Sequence, residues 1–397
     1  QLNERISHIV VLGGGSAGWL TAALIAAEHA PARAGGLRVT LVESPETPPI
    51  GVGEGTWPSM RDTLRRIGVT ETGLVRECEA SFKQGSRFVG WVDGREQDCY
   101  HHPFMLPQGY TEADLVSGWL RRHADVPFAE VACVQPALCD LGKAPKQAVT
   151  PEYAAVANYA YHFDAGKFGL YLRRHAVGAL GVEHIVDHVQ AVNSHPNGDI
   201  ASLQTQSHGA LAGDLFVDCS GLPSLLLGRH YGVPLLSQQP VLFNDTALAL
   251  QVPYSDERAP IASQTIATAR PHGWIWDIGL PTRRGVGYVF SSAHTTPDVA
   301  ERELRDYVQR TGGPAEIPSP RRLSFSPGYR ERFWHRNCVA IGLSSGFIEP
   351  LEASALALVE LSATMLCEDM PATREAMEIV ARRFNDSFGY RWSRVID

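Results

Sequence analysis

The 397-residue sequence lacks any apolar run approaching the ~18 residues that a membrane-spanning helix needs. Its first apolar stretch, residues 9–12, is cut at once by glycines, so a signal peptide does not fit either. These absences predict a cytoplasmic protein with no membrane partner. There is no basic block long enough to follow a phosphate backbone. The 35 Lys and Arg against 43 Asp and Glu leave a formal charge of −8, which argues against nucleic acid as a partner. The seven cysteines (Cys78, Cys99, Cys133, Cys139, Cys219, Cys338 and Cys367) are odd in number and scattered, with no C-x-x-C pair. They read as reduced thiols, and no metal site is expected. Internal repeats and low-complexity tracts are missing too. What remains is 44% hydrophobic and 20% charged, the profile of one large globular domain or two to three smaller ones.

The most informative segment is near the start. His8-Ile9-Val10-Val11-Leu12 suits a strand buried on both faces and runs into Gly13-Gly14-Gly15-Ser16-Ala17-Gly18, followed by the helical pattern Trp19-Leu20-Thr21-Ala22-Ala23-Leu24-Ile25. Gly13, Gly15 and Gly18 fill the three positions of G-x-G-x-x-G. The first permits the tight turn, the second lets backbone approach a pyrophosphate, and the third lets helix pack on strand. The N–H groups at Ser16 and Ala17 would face the phosphates. A second strand, 37–43, ends in Glu43, 25 residues after Gly18, near the spacing of a carboxylate that binds an adenosine ribose diol. Glu43 also disfavours a 2′-phosphate. No second G-x-G-x-x-G follows, although 214–221 and 337–342 read as further strands ending in small-residue turns, the latter at Gly342. One dinucleotide fold with late-returning strands suits FAD, with reducing equivalents coming from elsewhere or from NADPH bound without a second such fold, as in some flavin monooxygenases.

The remainder alternates in type. Residues 60–67, 71–80 and 299–311 are predicted helical; 184–192, 201–206 and 247–252 are predicted strands; 153–176 starts irregular and becomes a helix near Asp164. Residues 145–150 and 314–320 read as linkers or long loops.

Several motifs carry chemistry. Ile50-Gly51-Val52-Gly53-Glu54-Gly55-Thr56-Trp57-Pro58 is a glycine-rich loop able to approach a flat ring or a phosphate, or a plain surface turn. Lys83 follows in Ser81-Phe82-Lys83. Trp274-Ile275-Trp276-Asp277-Ile278 places two indoles at i and i+2 of an extended segment, on one side, which fits a wall beside a cofactor or an ordinary core strand. Phe347-Ile348-Glu349-Pro350-Leu351-Glu352 comes late. In family order across nearly the whole chain, these motifs resemble those of the flavin-dependent tryptophan halogenases: G-x-G-x-x-G, a G-V-G-E-x-T-x-P-like loop, S-F-K, W-x-W-x-I-P and F-I-E-P-L-E.

That resemblance implies an α/β fold: a Rossmann-like FAD-binding region on a flavin monooxygenase-type scaffold, with a β-sheet-rich substrate region and C-terminal helices. It assigns FAD contacts to Gly13, Gly15, Ser16, Ala17, Gly18, Glu43, Gly51, Gly53, Gly342 and Ile348. It implies that reduced FAD, supplied in trans by an NAD(P)H-dependent flavin reductase, reacts with O2 to a C4a-hydroperoxide that oxidises chloride or bromide to hypohalous acid. Lys83 would hold that species or be halogenated itself, and Glu352 would orient it or take the ring proton. Trp274, Trp276, Glu349 and Pro350 would wall the substrate from the flavin, while His102 and Phe104, in a Y-H-P-F-like segment with an extra histidine, would stack on an aromatic ring. Halide would meet the backbone of Ser354 and Ala355.

The sequence departs from the pattern in three ways. Gly279 stands where W-x-W-x-I-P ends in proline; Ala353-Ser354-Ala355 stands where S-T-G is usual, so Ala355 fits only if its φ is negative; and the chain is shorter than typical free-tryptophan halogenases. Either the further C-terminal parts lie outside this sequence or the pocket is more open, and an open pocket would suit a free indole, a phenol or a tethered aromatic. The expected division is an FAD-binding region (1–95, 150–232, 336–370), a substrate-side region (96–149, 233–335) and a C-terminal helical segment (371–397). A homodimer is an open alternative. Two other functions share the fold: an FAD-dependent aromatic hydroxylase, which would not need Lys83, and a non-catalytic flavin-binding protein.

Overall fold

A computed structural model describes residues 4–29, 35–46, 52–95 and 97–397. At its centre is a six-stranded sheet in the order Trp334–His335, Cys338–Ala340, Leu215–Asp218, His8–Leu12, Arg38–Glu43, Glu183–Val186. All neighbours are parallel except the first pair. His8–Leu12 is central and its apolar run is buried on both faces, as parallel strands require. Ile9 and Val11 face a core shared with the helices Ser16–His29, Ala165–Gly178, Ser354–Glu368 and Arg374–Ile396, whereas Val10 and Leu12 face a second core. That second core is capped by the antiparallel sheet Val189–Ser194, Ile200–Thr205, Ala210–Ala212.

The turn after the first strand explains its glycines. Gly13 has φ +121°, and a Cβ there would lie 2.0 Å from the Cys219 carbonyl oxygen, which is backbone and cannot yield. A Cβ on Gly18 would lie 1.9 Å from the Gly13 carbonyl oxygen. Gly13→Ala is therefore expected to cost about 3 kcal/mol or more, through strain and collision together, and to lower the melting temperature measured by circular dichroism.

A seven-stranded mixed sheet forms the second half of the molecule, in the order Arg321–Ser324, Thr246–Pro253, Arg283–Phe290, Gly273–Gly279, Thr265–Arg270, Gly85–Val89, Cys99–Pro103. One face packs on the helix Pro297–Arg310 through Leu248, Leu250, Ile275 and Tyr288. The other carries Trp274 and Trp276. A small antiparallel sheet, Gly53–Gly55, Ala160–Asp164, Ser81–Lys83, bridges the halves: Ser81 Oγ donates to the Gly279 carbonyl at 2.5 Å, and His162 meets Thr265 Oγ1 at 2.7 Å. The predicted helix at 153–176 begins at Ala165, where the Asp164 carboxylate caps the Lys167 N–H at 2.9 Å. Among the described residues no helix is long and apolar enough to cross a membrane.

Candidate active site

Lys83 ends the short strand Ser81–Lys83 and points back over the bridging sheet. It is one of four lysines in the chain, and it is 1% exposed. Among the described residues its ammonium has no hydrogen bond and no ion pair. Its nearest aromatic is Phe104, whose ring centroid lies 5.4 Å away. Burial lowers its pKa to about 8, against a smaller opposing pull from Glu352. Gly55 leaves room for it, since a Cβ there would lie 3.2 Å from Nζ and 3.4 Å from the Ala353 Cβ. His162 closes in beside it, fully buried, its pKa driven well below the ordinary value by burial and by the Lys83 charge.

A cavity of 320 Å³ opens in front of the ammonium, lined by Trp57, Pro58, Ser59, Lys83, Ser86, His102, Phe104 and Glu352. Glu352 reaches it from the turn before the helix Ser354–Glu368. Trp57 Nε1 fixes that turn by donating to the Glu352 carbonyl at 2.8 Å. The carboxylate is half exposed and pairs with His102 Nδ1 at 3.3 Å, which raises the His102 pKa. Period-two alternation separates the two histidines. His102 faces the cavity, whereas the extra His101 is buried on the other side against Gln264. Beneath, Glu360 joins helix 354–368 to Met60–Ile67 through Ser59 Oγ and Thr63 Oγ1, its carboxyl pushed up to about 7 by burial.

The helix start differs from expectation. Ala355 lies inside helix Ser354–Glu368, so alanine fits there, and the left-handed residue is Ala353, with φ 51° and ψ 42°. Ser354 is buried at the first helical position. A non-glycine residue in this region carries strain of about 1 kcal/mol or more, held beside the cavity. The indole pair is both wall and core. Trp274 is buried with Phe88 and Val289, Trp276 is partly buried, and their centroids lie 6.4 Å apart. The Trp274 N–H donates to Glu349 Oε2 at 2.6 Å, an oxygen that also accepts from Asn244 at 2.6 Å. Pro350 accepts the Ala353 N–H at 3.1 Å and so shapes the strained turn. Trp276 borders a second cavity, of 280 Å³, shared with Val52, Gly53 and Gln251.

Of the residues assigned to FAD, Gly13, Glu43 and Gly342 gather at the carboxyl ends of strands of the central sheet, and Gly53 lines the cavity beside Trp276. Gly15 is exposed, with nothing within 4 Å of a Cβ position, so the helix start at Ser16 and Ala17 opens on free space. Gly342, at φ +86°, packs against Ala17, where a Cβ would lie 2.8 Å from the alanine methyl, and Ile348 packs on the same core. Glu43 stands at the end of its strand beside this turn. Gly51 lies outside the described residues. An open helix start, a carboxylate whose Oε2 makes no hydrogen bond among the described residues and a cavity beside Trp276 fit the two ends of FAD. Sequence reasoning missed Trp57 and His162, and only Trp57 lay within a motif already singled out.

An FAD-binding α/β scaffold with a cavity built around a buried lysine and a facing glutamate defines an FAD-dependent enzyme of the flavin monooxygenase-type class. Within that class, residues 8–397 match the model of the tryptophan halogenase family. The chain is 36% identical over 386 residues to the 7-chloro-L-tryptophan 6-halogenase KtzR of Kutzneria sp. (strain 744), covering 92% of this chain and 73% of that one. The structure of a tryptophan halogenase from Shewanella frigidimarina is 50% identical, with a TM-score of 0.96, covering 100% of this chain and 77% of that one. BrvH, a flavin-dependent halogenase from Brevundimonas sp. BAL3, superposes with a TM-score of 0.86 at 34% identity, over 98% and 77% of the two chains. The chain belongs to the tryptophan halogenase family and is a flavin-dependent halogenase, using reduced FAD, O2 and halide to halogenate an aromatic, indole-like ring.

Proposed function

We propose that the ring is that of tryptophan or a related indole, and that Lys83 and Glu352 carry the halogenation. The observation behind this reading is the buried Lys83 ammonium, with no hydrogen bond or ion pair among the described residues, facing Glu352 across a 320 Å³ cavity with room for an indole. Bound reduced FAD supplies, with O2, the oxidising power that converts halide to an electrophilic halogen. Lys83, itself shielded from bulk water, then holds that electrophile by hydrogen bonding or as its haloamine. His102 and Phe104 hold the ring against it, and Glu352 takes the proton that leaves the halogenated carbon. Trp274 and Trp276, braced by Glu349 and Pro350, keep the ring away from the flavin, and the backbone of Ser354 and Ala355 receives halide.

On the cofactor side, the backbone at Gly13, Gly15, Ser16, Ala17 and Gly18 takes the pyrophosphate and Glu43 the adenosine ribose, with Gly51, Gly53, Gly342 and Ile348 around the flavin. Chloride and bromide both remain as substrates. The reduced flavin comes from a separate NAD(P)H-dependent reductase, and the FAD-binding and substrate-side regions divide at about residues 95, 150, 232 and 336. Mass spectrometry of reactions with FAD, NADH, a flavin reductase, O2 and a panel of tryptophan, indoles and phenols, first with bromide and then with chloride, tests this. Products carrying halogen isotope doublets are expected. Products bearing only added oxygen would instead make the protein a hydroxylase.

A further inference from the structure

The strand Glu183–Val186 lies beside Arg38–Glu43 in parallel register, with Leu41 opposite His184 and Glu43 opposite Val186. His184 Nε2 donates to Glu43 Oε1 at 2.6 Å, and its ring stands edge-on against Trp19 in the first helix, with centroids 5.0 Å apart at 73°. Both partners are more than four-fifths buried, and Arg173 adds a longer contact of 4.0 Å to the same oxygen. The other oxygen, Oε2, makes no hydrogen bond among the described residues. It lies against the glycine turn, where a Cβ on Gly14 would come within 1.5 Å of it. Gly14 is one of the variable positions of G-x-G-x-x-G, so the collision with Glu43 gives this glycine a reason that the motif does not. The carboxylate is thus divided, one oxygen clamped and one left facing the helix start.

We propose that His184, seated by Trp19, is a positioning residue for FAD. It fixes Glu43 in the rotamer that presents Oε2 to the adenosine ribose, and Gly14 clears the space for that rotamer. The inference rests on the reading in which Glu43 binds the ribose. A free glutamate samples several rotamers, and clamping one oxygen removes that ordering cost from cofactor binding.

The test is the Kd of the full chain for FAD, from flavin fluorescence quenching, in His184→Phe, His184→Gln, Glu43→Gln and the double variant. Phenylalanine keeps the edge contact with Trp19 but cannot donate, so about a tenfold loss is expected, the size of one hydrogen bond to a charged group. Glutamine can donate to Oε1 and should recover most of the affinity. Glu43→Gln should lose at least as much, and adding His184→Phe to it should cost nothing further. Losses that multiply in the double variant, or an unchanged Kd in His184→Phe, overturn the proposal while leaving Glu43 its role. An unchanged Kd in Glu43→Gln removes the ribose reading itself and the proposal with it. Melting curves of each variant without flavin separate cofactor loss from misfolding.

Discussion

Lys83→Met will cut the yield of halogenated product about a hundredfold or more and at the same time make the flavin-free protein more stable near neutral pH. Both effects come from the same burial. An ammonium 1% exposed and without an ion partner among the described residues is unfavourable to keep charged, which is why its pKa falls from 10.5 to about 8. Below pH 8 the folded and unfolded chains both hold the proton, and the full cost of burying the charge is present. Between pH 8 and 10.5 only the unfolded chain holds it, so stability rises with pH across that window. The shift corresponds to about 3 kcal/mol, which methionine, similar in length and uncharged, should largely recover at pH 7. Activity should fall by a factor of about 10² or more, because a thioether cannot donate a hydrogen bond to the electrophile or form a haloamine. Chemical denaturation at pH 7 and pH 9.5 checks the first claim, with the gap between wild type and variant narrowing at the higher pH. Product mass spectrometry with matched FAD loading checks the second. A variant less stable than wild type at pH 7 would mean that the ammonium has a stabilising partner after all.

The reasons that some of this site was legible in the sequence and some was not are physical. Gly13, Gly15 and Gly18 were legible because each spacing answers a local backbone demand, and the strand before them because burial on both faces leaves an unbroken apolar run. Lys83 and Glu352 are 269 positions apart. Neither is distinguished by its neighbours, and only the ordered motifs pointed to them. Partners set by strand pairing left no local trace: His184 reaches Glu43 through a parallel register between strands 140 residues apart, and His162 reaches Lys83 from the antiparallel neighbouring strand. The loop after Glu352 shows the limit of reading by position. The departure from S-T-G puts the expected glycine demand on Ala355, but the helix begins one residue before it, and the conformation that favours glycine falls on Ala353.

Glu352→Gln should leave the fold intact and cost about a hundredfold in turnover, the contribution expected of one well-placed general base. The carboxylate is half exposed, and its backbone is held independently by the Trp57 indole, so an isosteric amide keeps the turn, the helix start and the cavity lining. What it loses is the capacity to accept a proton from the ring. His102 gives a second readout in the same variant. Its pKa lies above 6.5 chiefly because it hydrogen-bonds Glu352, so in wild type the imidazolium persists to higher pH, and any stability from the pair is present below pH 6.5 and lost as pH rises through the raised value. With glutamine opposite, that pKa should drop back, visible in NMR as a His102 titration midpoint moved to lower pH. Because the His102 side chain is 63% exposed, the change in overall stability should be too small to measure. A hundredfold loss of turnover together with the shifted His102 titration, in a protein that melts at the wild-type temperature, assigns the loss to the proton-accepting group. Unchanged turnover would move proton removal from Glu352 to water in the open cavity.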